Sequence, residues 1–107
     1  MVQVSEMTRQ CIDISAECAN TCAQTIAYCL QQGGRHAEPS HIKLLLDCAE
    51  TCRTCADFTA RDSDFTSRIC GFCAEVCQRC ADDCASFSGD AQMQACADIC
   101  RRCAELR

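Results

Sequence analysis

Cysteines recur with a helical period between residues 70 and 84. They stand at successive steps of three, four, three and four residues, as Cys70, Cys73, Cys77, Cys80 and Cys84. The steps average about 3.5 residues, which is the spacing of the positions that a helix turns towards a partner helix. At about 100° per residue, these positions fall within an arc of about 80°. The segment is therefore predicted to be an amphipathic helix whose inward face is made of sulfur.

Three other segments repeat this pattern. Their cysteines are Cys11, Cys18, Cys22 and Cys29, then Cys48, Cys52 and Cys55, and finally Cys96, Cys100 and Cys103. Turn signals separate the segments, because Gly33-Gly34 is typical of a helix end and Pro39 suits the first turn of the next helix. We expect helices at about residues 5–32, 39–61, 63–87 and 90–106. Their predicted N-caps include Ser5, Ser63 and Asp90, with Ser88 as the alternative to Asp90.

Four helices joined by short turns predict an all-α fold, an antiparallel up-down-up-down four-helix bundle. We expect one domain over residues 1–107. All fifteen cysteines lie on the predicted inward stripes, so the core of the bundle is predicted to be lined with cysteine.

The number of cysteines signals either a disulfide scaffold or a metal site, since 15 of the 107 residues are cysteine. An odd number leaves at least one thiol outside any disulfide. Neighbours at i,i+3 and i,i+4 on one helix also rarely satisfy disulfide geometry. A purely structural core of such small side chains would leave voids that cost stability. These points favour a metal site.

Thiolates are soft ligands that select Cu(I), Zn²⁺ or iron–sulfur clusters. A Cu⁺ that replaces a thiol proton leaves the charge of the interior unchanged, whereas zinc held by four thiolates leaves a negative charge that is costly to bury. No lysine or arginine lies on the inward stripes to offset that charge. Iron–sulfur spacings are absent. The pattern favours several Cu(I) ions per chain. The alternatives are a zinc- or cadmium-sequestering thiolate protein and, less favoured, a thiol redox protein.

With these cysteines in view, the sequence resembles the bacterial four-helix-bundle copper-storage proteins, a cysteine-rich family. The likeness covers nearly the whole chain and rests on the fifteen cysteines named above. The resemblance implies Cu(I) storage in thiolate-bridged clusters, and homo-oligomers, often tetramers. A protein that stores and buffers copper is also expected to have a copper donor or acceptor as its partner. Exported members carry a twin-arginine leader and none is visible here, so a cytoplasmic, cytosolic-type member is expected.

The two ends of the predicted bundle differ in chemistry. The antiparallel order brings together Cys29, His41, Phe87 and Met93 at one end. At the other end it brings together an apolar plug, Met7, Phe58, Phe65, Ile69 and Leu106. Imidazole and thioether groups are able to pass on a soft cation, so His41 is predicted to be a metal ligand and Met93 an entrance ligand. The alternatives are a solvated first-turn histidine and ordinary packing.

Other features exclude functions rather than assign them. A formal charge of −5 argues against nucleic acid as a partner, and no apolar run is long enough to cross a membrane. The carboxylates, Asp82 and Asp83 among them, are predicted to form a solvated outer face with no acid–base pair, so no enzyme is expected. His36 is predicted to be exposed in its loop, and Phe72 is a candidate oligomer contact.

Overall fold

The computed structural model describes residues 5–106. Its four α-helices are α1 Glu6–Gln32, α2 Pro39–Ala60, α3 Thr66–Ala85 and α4 Ala91–Glu105. A short 3₁₀ helix, Gly34–Ala37, links α1 to α2. With 27 residues, α1 is about 40 Å long, and it runs along most of a molecule that measures 50 × 21 × 19 Å.

The four helices pack as a square. α1 and α3 each pack against α2 and α4. Within residues 5–106, the Cα atoms of the diagonal pairs stay more than 8 Å apart, so those helices meet only through side chains at the centre. This arrangement is an antiparallel up-down-up-down bundle, and the predicted all-α fold is confirmed.

Side chains in the flanking turns define where the helices begin. Ser5 Oγ accepts a hydrogen bond from the Thr8 amide at 3.1 Å, and an Asp90 carboxylate oxygen accepts one from the Met93 amide at 3.1 Å. Both bonds satisfy amides that the first turn of a helix leaves without an intrahelical partner. The predicted N-caps of α1 and α4 are therefore the observed ones.

The start of α3 differs from the prediction. Ser63 Oγ accepts from the Phe65 amide at 3.1 Å, which closes a serine turn rather than the first turn of a helix. The Thr66 amide then donates to the Ser63 carbonyl at 3.1 Å, and the helix begins at Thr66. At its other end α3 stops at Ala85, so Phe87 lies in the turn that follows.

Cysteine lines the core as predicted, with two exceptions. Thirteen of the fifteen cysteines are buried, and the part of the chain that the structure describes holds them all as reduced thiols. Cys11 and Cys70 are only half-buried, although the prediction placed them on inward stripes. Both lie in the second turn of their helices, at the bundle end farther from Gly34–Ala37, where fewer neighbouring turns remain to cover them.

The apolar plug predicted at that end is incomplete. Met7 and Phe65 are 70% and 60% exposed, so neither closes the bundle. Phe58, Phe65 and Ile69 instead line a surface cleft together with Phe72. Within residues 5–106 no helix combines the length and the apolar character that a bilayer span requires.

Candidate metal centre

Sulfur atoms from all four helices meet along the axis of the bundle. Cys18 Sγ lies 3.7 Å from Cys100 Sγ, and Cys52 Sγ lies 3.5 Å from Cys77 Sγ. Cys48 joins these two pairs, because its Sγ is 3.7 Å from that of Cys77 and 3.8 Å from that of Cys100. The helical stripes therefore combine into one continuous column of thiols.

Within this column, three overlapping groups of four buried cysteines have ligand spacing. Their members are Cys18, Cys22, Cys48 and Cys100; Cys18, Cys48, Cys52 and Cys77; and Cys52, Cys73, Cys77 and Cys103. The sulfur atoms of each group lie within 4.8 Å of one another. Four sulfurs bound tetrahedrally at about 2.3 Å from a metal are about 3.8 Å apart. Helix packing alone therefore holds these thiols near ligand distance, and neighbouring groups share two cysteines.

Burial and contacts between thiols determine where a thiolate forms in the column. Burial, reinforced by nearby negative groups, raises the pKa of Cys29 to about 11. Hydrogen bonds with other thiols, that of Cys103 first, raise the pKa of Cys52, whereas bonds led by Cys100 lower the pKa of Cys48. One thiolate is thus stabilised by the S–H groups around it, and a second beside it is disfavoured. A soft cation that replaces the protons removes that repulsion.

The column ends at a mixed set of donors on the side of Gly34–Ala37. Cys29 Sγ lies 3.4 Å from His41 Nε2 and 3.5 Å from Met93 Sδ. Cys29 and Met93 are fully buried and His41 is 4% exposed. The structure therefore brings together the thiol, imidazole and thioether that the sequence placed at one bundle end, and His41 is not a solvated histidine.

A carboxylate that the sequence interpretation placed on the outer face orients His41. Asp83 Oδ2 is hydrogen-bonded to His41 Nδ1, and a carboxylate only accepts, so Nδ1 carries the proton. In the neutral ring, Nε2 then presents its lone pair to Cys29. Metal-binding histidines commonly have such a partner. The sequence contained only a weak signal for this contact, since Asp83 precedes the inward Cys84.

Phe87 packs against His41 at this end of the bundle. The two ring centroids are 4.8 Å apart. Phe87 also packs against the His36 ring, at a centroid distance of 4.5 Å, and against the Arg35 guanidinium, whose Cζ is 4.0 Å from the Phe87 ring centroid. Both residues belong to the short helix Gly34–Ala37, which therefore packs over this end of the bundle.

His36 is held in this layer rather than exposed, which corrects the sequence prediction. Its Nε2 donates to Asp90 Oδ2 at 2.9 Å, and the Tyr28 hydroxyl donates to the same oxygen at 2.8 Å. Burial alone would raise the pKa of Asp90, but these hydrogen bonds outweigh it and hold the pKa below its usual value. The sequence contained no signal for this role of His36, because Asp90 and Phe87, which it contacts, are 54 and 51 residues away along the chain.

A four-helix bundle with a column of buried thiols, closed at one end by imidazole and thioether, defines a protein that takes up soft metal ions. A model of the copper storage protein family, Csp, matches residues 4–106. This chain belongs to the copper storage protein family. The family, the fold and the Cu(I)-storage function predicted from the sequence are thereby confirmed.

Solved structures agree with this assignment. The Cu(I)-bound copper storage protein BsCsp3 is 30% identical, with a TM-score of 0.88 over 94% of each chain. The metal-free copper storage protein 3 from Bacillus subtilis is 30% identical, with a TM-score of 0.83 over 92% of this chain and 93% of that one. A crystal structure from Nitrosospira multiformis is 35% identical, with a TM-score of 0.76 over 97% of this chain and 100% of that one. Comparison with curated proteins gives no match.

Proposed function

We propose that this chain stores Cu(I) along the entire column, with every cysteine as a ligand. The ligand set is Cys11, Cys18, Cys22, Cys29, Cys48, Cys52, Cys55, Cys70, Cys73, Cys77, Cys80, Cys84, Cys96, Cys100 and Cys103. The observation that carries the proposal is the overlap of the four-thiol groups. A shared thiolate is able to bridge two ions, and bridging lets soft monovalent ions fill a continuous array.

His41 and Met93 are the entrance ligands in this proposal. They are the non-cysteine soft donors that contact Cys29, and they lie where the column meets the turns. An incoming ion exchanges its carrier's ligand for imidazole or thioether and then for the Cys29 thiol. Because the exchange proceeds one ligand at a time, the ion is never without a donor.

Zinc sequestration is the second candidate, and the sulfur spacing favours it as well. The first and third four-thiol groups share no cysteine, so these eight residues are able to form two separate tetrahedral sites. Each site would bury a net negative charge. Within residues 5–106 no lysine or arginine is buried to offset that charge. Seven of the fifteen cysteines would also stay outside both sites. Both points favour Cu(I).

The cellular setting follows from the same chemistry. Fifteen thiols stay reduced most readily in the cytoplasm, which is the proposed location, with a copper donor or acceptor as the partner. We also propose a homo-oligomer, a tetramer by the family resemblance. Exposed Phe65 and Phe72, 60% and 52% accessible, support this because contiguous exposed aromatic surface is typical of contact sites.

The test of the storage proposal is an anaerobic titration of the reduced, metal-free protein against a competing Cu(I) chelator. We expect binding to continue to about one Cu(I) per thiol, because bridging thiolates use every sulfur. Protons should be released throughout, since the ligands deprotonate on binding. A parallel Zn²⁺ titration should stop at about two ions, the number of separate tetrahedral groups. A Cu(I) plateau at one or two ions would contradict storage.

Replacement of Asp83 tests how His41 is positioned. Asp83→Ala leaves His41 Nδ1 without its carboxylate, so Nε2 is no longer fixed as the atom with the lone pair. We expect Cu(I) loading to slow by about tenfold, as is typical when the outer partner of a metal-binding histidine is lost, with capacity unchanged. Stopped-flow loading from a Cu(I)–chelator complex measures the rate.

The control for this variant is Asp82→Ala. Asp82 is the adjacent, exposed carboxylate on α3, where it accepts a hydrogen bond from Gln78 at 3.0 Å. Its removal lowers the net negative charge by the same amount but leaves His41 untouched, so its loading rate should match that of the parent protein. Equal slowing in both variants would indicate a general charge effect and no role for the Asp83–His41 contact.

A further inference from the structure

The entrance ligands are shielded from solvent in this structure. Cys29 and Met93 are fully buried, and His41 is 4% exposed. Phe87, itself 5% exposed, lies directly over His41. Beyond Phe87 there is a surface cleft of about 710 Å³, lined by residues that include Tyr28 and Asp90. A copper ion that reaches the cleft is therefore separated from its first ligands by one aromatic ring.

The backbone around Phe87 is well anchored. Its amide donates to the Cys84 carbonyl at 3.1 Å. Its carbonyl accepts from Gln94 Nε2 at 2.9 Å and from the Asp90 amide at 3.3 Å. An opening movement at this residue is therefore a rotation of the side chain, and the adjoining cleft supplies the space for the ring.

The contacts that hold the Phe87 ring in its closed position come from the short helix Gly34–Ala37. The Arg35 guanidinium packs on the Phe87 face, and its nitrogens donate to the Ser86 hydroxyl at 2.6 Å and the Ser86 carbonyl at 3.4 Å. Gly33 and Gly34 precede Arg35 with φ angles of 70° and 55°, a region that glycine occupies without steric cost. The backbone therefore enters the short helix through two glycines, which have no side chains that must rearrange when the backbone turns.

We propose that Phe87 is the gate of the copper store. Rotation of its ring out of contact with His41 and into the adjoining cleft opens the path to the Cys29–His41–Met93 donors. The contacts of the ring with His41, His36 and Arg35 favour the closed position. The gate sets the rate of copper exchange and not the amount stored. This inference rests on the proposed function and names the step that controls it.

Phe87→Ala tests the gate. We expect Cu(I) loading and chelator-driven removal to accelerate by about tenfold, the factor by which a partly desolvated cation–π contact biases a closed position over an open one. Endpoint capacity should stay the same, because no thiol is lost. Leu46→Ala is the control, since it removes an exposed apolar side chain from α2 that takes no part in the entrance contacts, and it should change neither rate.

A second variant and a copper-free readout keep the test decisive. Arg35→Gln weakens the contact with Phe87 without leaving a cavity in the core, so it should accelerate loading even if Phe87→Ala folds poorly by circular dichroism. In metal-free protein, mass spectrometry should show faster alkylation of Cys29 in both variants, with Cys52 as the deep reference. The gate proposal is overturned if Arg35→Gln, and Phe87→Ala that folds, both show unchanged or slower copper exchange and unchanged or slower alkylation of Cys29. Low copper capacity with faster alkylation would instead contradict the storage proposal alone.

Discussion

Copper loading should raise the thermal unfolding midpoint of this protein by at least about 30 °C. Each four-thiol group ties ligands from three helices together, and a ligand that binds only the folded state stabilises it by about 4 kcal/mol per site at a thousandfold excess over Kd. Two such sites add about 8 kcal/mol, which equals the stability of many whole domains. In a chain of this size, each 1 kcal/mol moves the midpoint by about 4 °C or more.

Circular dichroism and calorimetry under anaerobic conditions measure this shift. The metal-free protein should already be helical, because the N-caps of α1 and α4 and the amphipathic faces of the helices do not depend on copper. Removal of Cu(I) with an excess of chelator should return the midpoint to the metal-free value. A metal-free protein with a random-coil spectrum would mean that copper folds the chain, and equal midpoints would show that the ions do not bind between the helices.

Loss of the His41 imidazole should slow Cu(I) loading and removal on the order of a hundredfold, the upper end of what removal of an outer-shell partner alone costs. His41 Nε2 is 3.4 Å from Cys29 Sγ, so it is the donor through which an ion reaches the first thiol. Fifteen thiols remain, so the final capacity should be nearly unchanged. Stopped-flow loading from a Cu(I)–chelator complex and an endpoint titration measure the two quantities.

Two variants separate the ligand role of His41 from its packing. His41→Ala opens space beneath Phe87, whereas His41→Leu fills that space with an apolar side chain. Both should be slow if the imidazole carries the ion. Unchanged rates would point to entry at the opposite end, where Cys11 and Cys70 are half-buried. A large loss of capacity would make His41 a storage ligand rather than an entrance ligand.

Much of this site was predictable because helical periodicity fixes the angle of each side chain around its own helix. The steps between Cys70 and Cys84, and the matching steps in the other segments, assigned four helices, an all-α bundle and an inward sulfur face. The antiparallel order then placed Cys29, His41 and Met93 at one end, and the structure brings these three side chains into contact.

Angular position alone does not say how far a neighbouring helix extends. Cys11 and Cys70 have the same inward angle as the buried thiols, yet they lie near the bundle end and are half-buried. Periodicity also does not fix the axial register between helices. Which sulfurs form the overlapping groups of four is therefore decided by the packing of all four helices together.

Spacing within each helix was enough to predict the number of helices, their sulfur faces and the end at which the soft donors gather. The contact by which Asp83 orients His41, and the contacts of Phe87 with His41 and Arg35, arise only when the chain is folded. These contacts join residues that are 42 to 52 positions apart. They form where a turn packs over the end of the bundle, and no periodic pattern describes such a turn.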